Sequence, residues 1–121
     1  AALALARNDY DDAAKQLGKY GHAARPELLA ELLRDSHWQV QKEATLALAQ
    51  LGAKAQAPLI AQLLNSSVAD VRKSAASALG LLQATFASDR LRELTTDLDS
   101  EVSKAARRAL LALAAPSNVT H

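Results

Sequence analysis

The sequence predicts an all-α solenoid, a right-handed superhelix of stacked helical hairpins, and two observations carry that prediction. The first is a period. Apolar residues recur every 31 residues without a slip of register: Val40, Val71 and Val102 align, as do Ala44/Ala75/Ala106, Ala47/Ala78/Ala109, Leu48/Leu79/Leu110 and Leu51/Leu82/Leu113. A fixed period of this length marks a repeat array, in which each unit buries its apolar face against its neighbours. The second is composition. Half of the residues are apolar, chiefly Ala and Leu, against one Trp, two Tyr and one Phe. So few aromatic residues favour closely packed helices over sheet.

Each copy holds two apolar segments. The first ones, 26–34, 57–65 and 88–96, carry Leu and Ile at 28/29/32/33, 59/60/63/64 and 91/94 and read as short amphipathic outer helices. In the second ones, counting the Val as zero, apolar residues fall at offsets 0, 4, 7, 8 and 11. That spacing makes one stripe on a helix and predicts inner helices at 38–51, 69–82 and 100–114. Pro26 and Pro58 sit in the first turn of their outer helices, where a missing N–H costs nothing. Polar turns separate outer from inner helix: Asp35-Ser36-His37, Ser66-Ser67-Val68 and Asp97-Leu98-Asp99. Ser36 with Gln39 and Ser67 with Asp70 are expected to form capping boxes, and Asp99 to cap the third inner helix. Gly52 fits the left-handed position that ends a helix, and Gly21 occupies the same slot one period earlier.

That last match exposes a fourth, degenerate unit, because Ala13, Leu17, Tyr20 and Gly21 stand one period before Ala44, Leu48, Leu51 and Gly52. The expected organisation is a degenerate unit at 1–25, units at 26–56, 57–87 and 88–115, and a tail at 116–121 begun by the helix-stopping Pro116. The sequence contains no Met. The expectation is therefore a piece of a longer precursor, with Ala1 to Arg7 the remnant of an outer helix. Asn118-Val119-Thr120 matches a glycosylation sequon, a triplet common by chance.

Fourteen Lys and Arg against thirteen Asp and Glu leave a formal charge of +1, too little for a global field toward nucleic acid or anionic membrane. Any electrostatic recognition must be local. The absence of Cys excludes disulfides and thiolate metal sites but leaves the compartment open, with the cytoplasm favoured. His22, His37 and His121 share no helix face at ligand spacing, so neither metal nor cofactor is expected. Asp9, Asp11 and Asp12 cluster where a helix N-terminus would favour negative charge. No apolar run is long enough to span a membrane. No nucleophile with its base, phosphate-cradling glycine loop or paired acid and base appears, so no enzyme activity is expected.

The run Asp70-Val71-Arg72-Lys73-Ser74-Ala75-Ala76-Ser77-Ala78-Leu79-Gly80 resembles the HEAT repeats, and within them the short 31-residue type of the bilin (phycobiliprotein) lyases and many bacterial HEAT-like proteins. The other copies depart from it, with Gln41 and Ser103 at the Arg position and Ala49 and Leu111 at the Gly position. Only Arg72 could therefore supply a rung of an Arg-to-Asp ladder along the stack. The resemblance covers residues 26–114 well and 9–21 weakly. It implies a solenoid whose inner helices line a concave side, in a family that includes scaffolds, lyase subunits, nucleic-acid-handling enzymes and transport adaptors.

On that side the residues opposite the stripe lie at offsets 2, 5, 6 and 9: Lys42, Thr45, Leu46 and Ala49; Lys73, Ala76, Ser77 and Gly80; Lys104, Arg107, Arg108 and Leu111. Offset 2 is Lys in all three copies. Helices packed about 8–10 Å apart would set these lysines in a row, and two charges about 10 Å apart in water repel by only about 0.4 kcal/mol. A solvated lysine face is thus cheap to keep. The functional expectation is a noncovalent protein-binding scaffold or adaptor with Lys42, Leu46, Lys73, Ser77, Lys104, Arg107 and Arg108 as its partner-binding residues. Ala49, Ser77 and Gly80 would let an acidic protein or peptide approach closely. Trp38 is either a cover over the end of the stack or an aromatic anchor. The alternatives are a bilin lyase-type accessory subunit and nucleic-acid binding through the same basic groove, the latter disfavoured by few cations and no interleaved aromatics. Leu98, Leu110, Leu111 and Leu113 leave an apolar C-terminal end, expected to continue into the parent protein or to self-associate.

Overall fold

A computed structural model describes residues 26–114. The expected degenerate unit at 9–21, the helix remnant before it, the acidic cluster at 9–12, Gly21, His22, the Pro116 stop, the sequon and His121 lie outside the described residues. Six α-helices follow in order: α1 (Pro26–Leu32), α2 (Trp38–Gln50), α3 (Ala57–Gln62), α4 (Ala69–Leu81), α5 (Ser88–Leu94) and α6 (Ser100–Ala114). Short 3₁₀ turns at Lys54–Gln56 and Thr85–Ala87 lead into α3 and α5, and another at Leu63–Asn65 closes α3. No strand occurs among the described residues.

Each outer helix packs on the inner helix that follows it, and the inner helices stack in a row, α2 on α4 and α4 on α6. The architecture is an all-α solenoid. Its core is the predicted stripe: Val71, Ala75, Ala78, Leu79 and Val102 are wholly buried, and Leu29, Ile60 and Leu91 reach in from the outer helices. Leu110 and Leu113, at the two last stripe positions of α6, are only partly buried. The outer helices α1 and α5 end two residues before the expected 34 and 96. Their last carbonyls switch to the tighter i→i−3 pattern, as in Leu33 N–H to Ala30 (3.1 Å) and Thr95 N–H to Arg92 (3.1 Å).

The ends of the inner helices follow backbone chemistry closely. Gly52 has φ +68°. Its N–H donates to Ala49 O and that of Ala53 to Leu48 O, both at 3.0 Å, the paired bonds of a Schellman cap. One period on, Gln83 takes the same cap at φ +57° without being glycine. Its N–H reaches Gly80 O (3.1 Å) and that of Ala84 reaches Leu79 O (3.0 Å).

Two expected capping boxes are absent. The residues flanking α2 and α4 are His37 and Val68, and neither helix has a side-chain cap from Ser36 or Ser67. Instead the residue one step earlier closes a small turn. Asp35 Oδ1 accepts from His37 N–H (2.8 Å), Ser66 Oγ from Val68 N–H (3.0 Å), and Asp97 Oδ1 from Asp99 N–H (2.9 Å). A side-chain oxygen bonding its own backbone two residues on competes well with a cap. Asp99 does cap α6, accepting from Glu101 N–H (2.8 Å) and Val102 N–H (3.2 Å).

Candidate protein-binding groove

An inner helix in a stack has an outer helix beneath it and further inner helices beside it, so its buried arc exceeds the single stripe of a lone amphipathic helix. That fact corrects half of the expected binding surface. Thr45 and Ala76 at offset 5 are wholly buried, and Ala49 at offset 9 nearly so. Thr45 Oγ1 satisfies itself by donating to Gln41 O at 2.8 Å. Gly80 is also buried. A Cβ placed on it would stand 2.9 Å from Ala109 Cα. Of the small residues expected to admit a partner, Ala49 is buried and Gly80 lies against Ala109 of the neighbouring helix, while Ser77 stays half-buried. On α6, with no described helix beyond it, Arg107 and Leu111 at these offsets are exposed.

What remains open is a groove of two adjoining hollows. Between α2 and α4 the lining is polar: Lys42, Leu46, Asp70, Lys73, Ser74 and Ser77. Between α4 and α6 it is apolar, formed by Gly80, Ala105, Ala109 and Ala112 with Ser77, Leu81 and Arg108 beside them. Of the expected residues the structure therefore brings Lys42, Leu46, Lys73, Ser77 and Arg108 together. Lys104 is exposed on α6 but lines neither hollow, and its Nζ lies 3.5 Å from Glu101 Oε2. Arg107 stands apart, its Nη2 donating to Thr95 O in the α5–α6 turn (3.4 Å). Leu81 and Asp70 were missed because their offsets, 10 and −1, fall at the edges of a wheel drawn for an isolated helix.

Trp38 opens α2 half-buried. Lys42 Nζ lies 5.9 Å from the centre of its ring, within reach of a cation–π attraction. The ring thus attracts one groove cation. At the edge of the groove the turns are tied together. Arg72 donates from Nε and Nη2 to the two carboxylate oxygens of Asp97, both at 3.0 Å, and from Nη1 to Ser66 O at 2.9 Å. Its hydrogen bonds are the main cause holding the Asp97 carboxyl below its ordinary pKa, against the opposing effect of burial. Gln41, one period earlier, keeps only the inner half of this clamp, donating to Asp35 O at 2.9 Å.

Among the described residues no cluster of three His, Cys, Asp or Glu could hold a metal ion, and no helix is long and apolar enough to cross a membrane. A family model of HEAT repeats matches residues 25–111. The chain belongs to the HEAT repeat family. Among solved structures, the HEAT repeat chain is similar to an engineered protein whose crystal structure was a target of the Northeast Structural Genomics Consortium. Their TM-score is 0.72 at 25% sequence identity, and the likeness covers 94% of this chain and 60% of that one. The chain thus spans about 60% of that protein's length. No curated protein matches it. HEAT repeats generally serve as protein-interaction scaffolds and are typically not enzymes.

Proposed function

We propose that this HEAT repeat chain is a noncovalent protein-binding scaffold that holds an acidic segment of another protein in the groove along α2, α4 and α6. The observation that carries the reading is the convergence of Lys42, Lys73 and Arg108 on two adjoining hollows whose lining includes one carboxylate, Asp70. Lys73 has no ion-pair partner among the described residues, so its charge is available to a ligand. A concave surface with excess charge of one sign raises the local concentration of an oppositely charged partner and speeds its encounter.

The test is affinity capture from the parent organism's lysate, using the chain as it is beside a Lys42→Glu/Lys73→Glu/Arg108→Glu variant of unchanged melting temperature. A partner retained by the first and lost by the second supports the reading. Equal capture by both contradicts it. Bilin transfer in a reconstitution assay would support the lyase-type alternative. A salt-sensitive gel shift lost on the same charge reversal would support the nucleic-acid one, which shares the groove cations.

A further inference from the structure

Resting on that reading of the groove, we infer the chemistry of its occupant: an extended segment that carries an acidic side chain and, a few residues away, a leucine-like one. The two hollows differ in kind. The one between α4 and α6 is an open hollow of about 260 Å³ walled by small apolar residues. It suits an aliphatic side chain. Leu81, 69% exposed, offers that side chain an apolar flank beside Arg108. The hollow between α2 and α4 carries Lys42 and Lys73, the former held over Trp38. It suits a carboxylate.

The two hollows lie on either side of α4 and share Ser77, one opening toward the start of that helix (Asp70, Lys73) and the other toward its end (Gly80, Leu81). A segment that crosses α4 obliquely passes over both, and an extended chain, rising about 3.1–3.4 Å per residue, does so within a few residues. Acid and leucine a few residues apart on an extended chain therefore address both hollows at once.

The experiment is fluorescence anisotropy of labelled twelve-residue peptides, Pro-, Gly- and Ser-based, with Glu and Leu two, three or four residues apart in either order, titrated with the full chain. Matched controls replace Leu with Ser or Glu with Lys. On the protein side, Ala112→Phe fills the apolar hollow from a half-buried position, and Leu81→Asp serves in its place if that variant does not fold. The expected result is saturable binding of one matched peptide, weakened at least tenfold by each peptide change, by Lys73→Glu and by the hollow-filling substitution. Equal binding of the Leu and Ser peptides, both abolished by Lys73→Glu, overturns the leucine site and leaves the basic groove standing. Absence of binding by every peptide also overturns it, while the capture experiment judges the groove independently. A single-stranded twelve-nucleotide probe that binds more tightly than any peptide overturns it in favour of nucleic acid.

Discussion

Arg72 and Asp97, 25 residues apart, form a two-pronged charge-assisted hydrogen bond that joins the turn before α4 to the turn before α6. Their side chains are 19% and 9% exposed, so solvent screens the pair little. Because Arg72 also holds Ser66 O, one side chain ties the turns of two consecutive units together. Losing a hydrogen bond to a charged group costs about 1.5–3 kcal/mol. Arg72→Gln, which copies the residue at position 41, should keep the bond to Ser66 and lose the inter-unit one. Arg72→Gln and Asp97→Asn are each expected to lower stability by about that amount, and the double variant by less than the sum. Urea denaturation of the four proteins checks this; strict additivity would count against it.

The same pair sets a pH dependence. Asp97 has a lower pKa folded than unfolded, so the folded chain binds fewer protons there. Its contribution is complete above the unfolded value of roughly 3.9 and disappears as the pH falls through the lower folded value. The stability gap between the unaltered chain and Asp97→Asn should be constant from about pH 5 to 7 and narrow below about pH 4. Thermal melts across that range give the answer, and a gap that widens on acidification would contradict the assignment.

Gly80 separates packing from propensity. Alanine in a helix is favoured over glycine by about 1 kcal/mol, but here a Cβ would meet the backbone of Ala109 at 2.9 Å. Overpacking costs about 1–3 kcal/mol. Gly80→Ala is therefore expected to be destabilising by about 1 kcal/mol net, read from the denaturation midpoint. A stabilised variant would mean that α4 and α6 are not in this contact.

The two Schellman caps give a reciprocal pair. Gly52→Ala has open space around its Cβ and φ +68°, so its cost is conformational alone, about 1 kcal/mol. Gln83→Gly relieves the same strain. It gives up only long hydrogen bonds from Gln83 Nε2 to Gly80 O and Ala112 O, both 3.3 Å. It should stabilise by about 0.5 kcal/mol, and loss of stability would show that the bridge to Ala112 outweighs the strain.

Caps discriminate further. Asp99→Ala should lose about 1 kcal/mol, whereas Ser36→Ala should change stability by no more than about 0.5 kcal/mol. Comparable losses in chemical denaturation would restore the capping box at Ser36.

The fold was legible because a 31-residue period imposes three simultaneous readings of one pattern, which placed the inner helices within a residue of 38–50, 69–81 and 100–114. The turn chemistry was legible too but misread. Asp35, Ser66 and Asp97 form a periodic column of residues that bond their own backbone, one position before Ser36 and Ser67, whose spacing to Gln39 and Asp70 imitates a capping box. The groove was half legible. Lys42, Lys73 and Arg108 follow from the helical wheel, but a wheel treats one helix alone. Thr45, Ala49, Ala76 and Gly80 are buried, Gly80 against Ala109 of the next inner helix, and their small size was the signal that those offsets belong to packing. Arg107 could not be placed from sequence, because its direction is fixed by the Thr95 carbonyl in the turn beside it.

The groove competes with other exposed apolar side chains as the binding surface, notably Phe86 in the turn before α5, 60% exposed, and the fully exposed Leu98. Photo-crosslinking from single unnatural residues placed at 77, 86 and 98 in the presence of the captured partner decides between them. The expected result is crosslinks from position 77 to an acidic segment of the partner, with none from 86 or 98. Crosslinks from 86 or 98 with position 77 silent would contradict recognition in the groove.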